Sequence, residues 1–198
     1  MKRAYVIAGF MGFCVALNDR ASAQIAPDTT LNTQVASPDG LNFTITNGTT
    51  SGHNLFHSFD RFSVPLGGSA TFDLNGTTNI STIFSRVTGR DVSSINGLIQ
   101  TINSSNPVSL FLVNPNGILL GENARLNIGG SFTGTTATSV RFADGTEFSA
   151  IAPNNSLLTI SVPIGLQFGS NPAAIAVQNS GHRLQEQNDR GIVSLNRV

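Results

Sequence analysis

The sequence predicts an all-β protein behind a removable leader, and three observations predict it. Short stretches alternate apolar and polar residues with period two and stop at Asn-Gly, Asp-Gly, Gly-Gly or Pro. No stretch after residue 23 shows the capped, helically spaced pattern of a long helix. Only 11% of the 198 residues are charged, against about 25% in an average globular chain, so Ser, Thr and Asn must supply the polar surface. The formal net charge of +0 excludes the clustered Lys and Arg that a nucleic-acid binder needs. A mean hydropathy of +0.07 is too apolar for a disordered chain.

The leader comes first. Met1-Lys2-Arg3 is basic, Ala4 to Leu17 carries no charge, Asn18-Asp19-Arg20 breaks the apolar run, and Ala21-Ser22-Ala23 is a small-residue cleavage site. These are the parts of a secretory signal peptide over residues 1–23, and the apolar run is too short to span a bilayer. Cleavage between Ala23 and Gln24 removes Cys14, the single cysteine, and leaves a net charge of −2. A lipid on Cys14 is rejected, because bulky Phe13 precedes it where a small residue is needed. Without cysteine the exported chain has no disulfide and no thiolate metal site.

The strands follow in order. Leu41–Thr46 alternates up to Asn47-Gly48, and Ala70–Leu74 up to Asn75-Gly76. Leu110–Val113 is continuously apolar and ends at Asn114-Pro115-Asn116-Gly117. Leu126–Ile128 stops at Gly129-Gly130, Val140–Phe142 before Asp144-Gly145, and Leu158–Val162 at Pro163. Ile175–Val177 is the last clearly apolar stretch before the charged tail. One segment fits two periods: Ile95, Leu98, Ile99 and Ile102 have helical spacing, yet Gly97 interrupts them and three of the four are β-branched. Two architectures satisfy this pattern, an antiparallel sandwich or barrel and a β-solenoid of stacked coils. Low charge, abundant Asn, Ser, Thr and Gly, and eleven phenylalanines after the leader favour the solenoid, with Phe stacking coil on coil inside. No strict internal period is visible.

Few residues look catalytic. His53 and His57 are four apart, but without a helix they read as surface or turn histidines rather than metal ligands. His57-Ser58-Phe59-Asp60 does not build a nucleophilic triad, since a strand sends His57 and Phe59 to one face and Ser58 and Asp60 to the other. Paired carboxylates for glycoside chemistry would come from Asp60, Asp73, Asp91, Asp144 or Glu147, yet Asp73 and Asp144 adjoin turns that explain them. Gly67-Gly68 and Gly129-Gly130 lack a dinucleotide fingerprint. No metal site and no cofactor is expected.

Three stretches together resemble a known family: Asn54–Phe62 (NLFHSFDRF), Ser109–Gly121 (SLFLVNPNGILLG) and Ala124–Phe132 (ARLNIGGSF). They are similar to the N-terminal two-partner secretion, or haemagglutination-activity, domain of filamentous-haemagglutinin-like exoproteins. Ile83–Gly89 and Phe142–Thr146 resemble its cyanobacterial branch. The resemblance runs from about Gln34 to about Gln178. It implies a right-handed parallel β-helix with extra-helical hairpins and a role that is not catalytic. It also implies export by the general secretion machinery, recognition by an outer-membrane β-barrel transporter, and a final location at the cell surface or exterior.

The recognition motif carried over is Asn114, Pro115, Asn116, Gly117 and Ile118, where Asn114 and Asn116 would hold the turn, Pro115 fix φ and Gly117 supply a positive φ. Asn106-Pro107 and Asn171-Pro172 do not continue as the second motif of some branches. The expected organisation is a leader over 1–23, a β-helix domain over 24–181 and a polar tail over 182–198, the start of downstream passenger coils of a longer exoprotein. The rival readings are a polysaccharide-active solenoid enzyme fragment and a stand-alone adhesive carbohydrate-binding module.

Overall fold

The computed structural model describes residues 24–155 and 158–178, together with the backbone of Gln185–Asn188 and Gly191–Ser194. The expected leader, with Ala21 and Ala23 of its cleavage site, lies outside the described residues. Within them every regular element is a strand except one 3-10 turn, Pro153–Asn155.

The strands wind into stacked parallel coils with three walls. The first wall runs β3 (Asn42–Asn47), β6 (Ser69–Asp73), β9 (Leu98–Ile102), β12 (Arg125–Asn127). The second runs β5 (Asn54–Phe62), β7 (Thr82–Val87), β10 (Ser109–Val113), β13 (Phe132–Thr135). The third runs β8 (Ser93–Ile95), β11 (Ile118–Leu120), β17 (Ile175–Val177), and Val64 bridges to Ile95 beneath it. All pairings between coils are parallel. Chain order visits the three walls in turn, so the molecule is a β-solenoid of three coils and a fourth, which residues 136–174 interrupt before β17 resumes it. The segment with two periods is resolved as two strands: β8 ends at Ile95, Asn96-Gly97 turns a corner, and β9 starts at Leu98. A side chain at Gly97 would place its Cβ 2.3 Å from the Gly68 carbonyl oxygen, so that corner requires glycine.

The N-terminal end is closed. β2 (Thr33–Ala36) pairs antiparallel with β3, and β1 (Ile25–Pro27) and β4 (Thr49–Ser51) pair antiparallel with β5. These strands cover the edges that the first coil would otherwise expose. The other end is different. In one interior column Val64 and Ile95 are buried, but Val177 above them is 61% exposed. In another, Phe43, Ala70 and Ile99 are buried and Leu126 is 41% exposed.

The interrupting excursion forms a small antiparallel sheet, β14 (Ser139–Phe142) between β15 (Glu147–Ser149) and β16 (Pro163–Gln167). This is the extra-helical hairpin layer, and it lies over the outer face of the second wall. There Phe56, Phe84 and Phe111 are in register and stack coil on coil, with centroids 5.2 and 5.0 Å apart. Phe142 and Phe148 meet them edge-on. Phenylalanines also stack inside the coils, where the rings of Phe62 and Phe72 lie 6.2 Å apart, and the outer stack adds to these because this wall is buried on both faces.

Leu158–Val162 is not a strand; the strand begins at Pro163. Side-chain bonds hold this segment irregular. Thr159 Oγ1 donates to Asp144 and accepts from the Ser161 N–H, while Asn54 Nδ2 donates to the carbonyls of Thr159 and Ser161. Pro163, without an N–H, opens an edge strand, where no partner needs its donor. Beyond residue 178, β18 (Gln185–Asn188) and β19 (Gly191–Ser194) pair as an antiparallel hairpin.

Candidate functional site

The Asn114–Ile118 motif forms the corner between β10 and β11, where the chain leaves the second wall for the third. Asn114 is fully buried and is the centre of the corner. Its Nδ2 donates to the Asp91 carbonyl and to Ser93 Oγ, each at 2.9 Å, both in the coil below. Its Oδ1 accepts from the Asn116 backbone N–H at 2.9 Å and from Asn116 Nδ2 at 3.2 Å. Its own N–H donates upward to the Thr135 carbonyl. Asn116 Nδ2 also reaches down to the Gly89 carbonyl at 2.7 Å.

Gly117 closes the turn: its N–H donates to the Asn114 carbonyl and its carbonyl accepts from the Ser93 N–H. It does so at φ +122, in the region that disfavours side chains. Ile118 is buried, and its N–H donates to the carbonyl of Ala174, the residue that leads into β17. The corner is therefore a clamp through three successive coils. Pro115 and Asn116 are its half-exposed members; Asn114, Gly117 and Ile118 are buried.

A second polar cluster was not singled out in the sequence. Arg86, near the end of β7, is 1% exposed and lies beneath the hairpin layer. It donates to Ser58 Oγ at 2.7 Å, to the Ser149 carbonyl at 2.7 Å, to Thr30 Oγ1 at 3.1 Å and to the Pro153 carbonyl at 3.2 Å. Its guanidinium carbon stands 4.4 Å from the centre of the Phe148 ring. Asp28 accepts from Ser58 Oγ, Thr88 Oγ1 and the Thr30 N–H and hydroxyl. Burial pushes the Arg86 guanidinium down to about 10, opposed by the charge of Asp28, so it stays a cation at neutral pH. Burial acts to raise the Asp28 carboxyl, but its hydrogen bonds with Ser58, Thr30 and Thr88 together leave it below its ordinary value. One cation thus ties the N-terminal segment, the coils and the excursion together. The available signal was a charged residue inside the apolar alternation of Ile83–Val87, but a lone strand would turn such a residue toward solvent.

The histidine reading needs correction. His53 is exposed, but His57 is 1% exposed and points into the solenoid. Its ring packs against Phe59 and Phe72, and Nδ1 lies 3.3 Å from Thr33 Oγ1. Desolvation pushes it down to about 3, so it is a neutral core residue. His57 faces inward and Ser58 outward, as strand alternation requires, and they do not act on one substrate. Asp73 and Asp144 accept from the backbone N–H groups of Asn75 and Thr146 two residues on, the local turn bonds expected of them. Among the described residues no three His, Cys, Asp or Glu side chains gather as a metal site.

Stacked parallel coils, closed at one end and covered on one wall by a hairpin layer, make this a β-solenoid module. A family model described as the TPS secretion domain matches residues 23–196. The chain belongs to that family, the two-partner secretion domains of filamentous-haemagglutinin-like exoproteins. It is accordingly a secretion domain, and proteins bearing it are exported. No curated protein matches the chain.

Proposed function

We infer that this chain is the N-terminal secretion and folding-nucleation domain of a surface adhesin-like exoprotein. The leader over 1–23 takes it to the general secretion machinery, and an outer-membrane β-barrel transporter recognises it through the corner at Asn114–Ile118. The domain acts without catalysis and without a cofactor. The observation that carries nucleation is the asymmetry of the two ends. Antiparallel strands close the first coil, whereas the fourth presents parallel strands and half-exposed interior residues, the template on which further coils would add. Recognition is supported by the exposure of Pro115 and Asn116 on a rigid corner, since a transporter reads what the corner displays and not what it buries.

The test is export into the medium from cells carrying the cognate transporter. Pro115→Leu and Asn116→Ala are expected to lower export more than they lower the melting midpoint. Asn114→Ala removes buried bonds and is expected to cost about 1–3 kcal/mol of stability. Normal export of a stable Pro115→Leu/Asn116→Ala double variant takes the motif out of the mechanism.

A further inference from the structure

The chain contains four Asn-Gly pairs, at 47–48, 75–76, 96–97 and 116–117. In such a pair the glycine nitrogen can attack the preceding side-chain amide carbon, because no Cβ hinders it. A C–N bond closes a succinimide ring and the asparagine nitrogen leaves as ammonia, taking the proton lost by the glycine N–H. Water then opens the ring at either carbonyl and leaves aspartate or its β-linked isomer. Solvent water is the sole co-reactant and no oxidation occurs. The reaction needs a free glycine N–H and a side chain able to swing back over its own peptide.

The fold treats the four pairs unequally. Asn75 is exposed, and Gly76 at φ +80 has nothing within 4 Å of where a Cβ would be. Asp73 holds the backbone N–H of Asn75 and leaves the amide to solvent. At the other three pairs the reacting groups are held. Gly48 N–H donates to the Asn32 carbonyl. Asn96 Oδ1 accepts from the Asn123 N–H. At 116–117 both partners are held at once: Gly117 N–H donates to the Asn114 carbonyl, and Asn116 Nδ2 donates to the Gly89 carbonyl and Asn114 Oδ1.

We propose that Asn116-Gly117 is a spontaneous deamidation site masked by folding, and that deamidation there before the corner forms prevents the corner from closing. The product replaces the donating Nδ2 with an oxygen that has no proton at neutral pH. The new oxygen of residue 116 would then face the Gly89 carbonyl and Asn114 Oδ1 in a half-buried place with no proton to offer either, and only the backbone N–H of residue 116 would still serve Asn114 Oδ1. The β-linked isomer also lengthens the backbone between residues 116 and 117, and so displaces the Gly117 carbonyl from the Ser93 N–H. A chain that stays unfolded loses its corner with time, whereas a chain that folds protects it. This rests on the corner's hydrogen bonds and is independent of any transporter.

The experiment holds the 198-residue chain in urea at mildly alkaline pH for increasing times, beside the same chain kept folded. Peptides spanning Asn75 and Asn116 are then mapped by mass for conversion of amide to acid. In urea both sites are expected to convert at comparable rates. In the folded chain Asn75 still converts, while Asn116 slows by at least about tenfold, the factor that each 1.4 kcal/mol of local opening supplies. On dilution from urea the refolded fraction falls in step with conversion at Asn116. Asn116→Asp refolds with a lowered melting midpoint or not at all, and Asn75→Asp melts with the parent chain. Conversion of Asn116 as fast as Asn75 in the folded chain, or parental melting of Asn116→Asp, overturns the proposal.

Discussion

Mild acidification, above the carboxylate range, should destabilise this domain through His57. The ring is buried between Phe59 and Phe72 and is held neutral down to about pH 3, whereas an unfolded chain protonates it through its ordinary value of 6.5. The unfolded state therefore binds the extra proton throughout the interval between those values. Stability contributed by the neutral ring is complete above pH 6.5 and is lost as the pH falls toward 3. The slope is about 1.4 kcal/mol per pH unit, so roughly 2 kcal/mol is gone at pH 5. That is a large share of the roughly 5–15 kcal/mol typical of a domain. Asp28, Asp39 and Asp144 also lose their contributions on acidification, but only below their ordinary value of 3.8, outside the interval from pH 6.5 to 4.5.

The assay is urea unfolding at a series of pH values for the parent and for His57→Gln, with NMR of the parent ring to follow its protonation. The parent midpoint should fall steeply with pH and the variant midpoint should not. A constant offset between them measures packing and leaves the difference in slope intact. Parallel curves, or a parent ring that titrates near 6.5 in the folded chain, would show that burial does not hold His57 neutral.

Three further outcomes are expected. Arg86→Met removes the cation that joins three segments, and should cost about 3 kcal/mol or more. Hydrogen exchange should rise first in β14–β16, and faster exchange confined to β6 and β9 would show that the guanidinium does not hold the excursion. Mass spectrometry of exported protein should find Gln24 first, and a mature chain that keeps Met1 would dismiss the leader. The purified chain should self-associate as its concentration rises, through the open end marked by Leu126, Ile175 and Val177. Sedimentation showing a monomer at every concentration would mean that this end is covered.

The corner at Asn114–Gly117 was legible before folding because its signals are local. An apolar strand, a proline-fixed φ and a glycine at positive φ announce a turn wherever they occur. Its depth was not legible. The same residues serve a surface hairpin equally well, and only the stacked coils place Asp91 and Ser93 under Asn114 and Thr135 above it. The Arg86 cluster was hidden for a related reason: its partners Thr30, Ser58, Ser149 and Pro153 lie far apart along the chain and meet only when three segments dock.

Taken by itself, the amino-acid sequence determined that the chain is all strand and turn, since period-two alternation and Asn-Gly punctuation are properties of neighbouring residues. It left Ile95–Ile102 open between two periods, and the corner at Asn96-Gly97 emerged only when β8 and β9 joined different walls. Tertiary structure decided which strand pairs with which. Coil pairings join residues as near as Leu110 to Phe132 and as distant as Ile118 to Ile175, so no fixed spacing exists to be read. Tertiary structure also decided which faces are wet. Alternation tells that a strand has two faces, but not that both are covered. The second wall carries His57 inward, buried in the solenoid interior, and Phe56, Phe84 and Arg86 outward, buried because the hairpin layer lies over the outer face. Burial is settled by what packs on top, and what packs on top here comes from residues 136–174, far along the chain from the strands it covers.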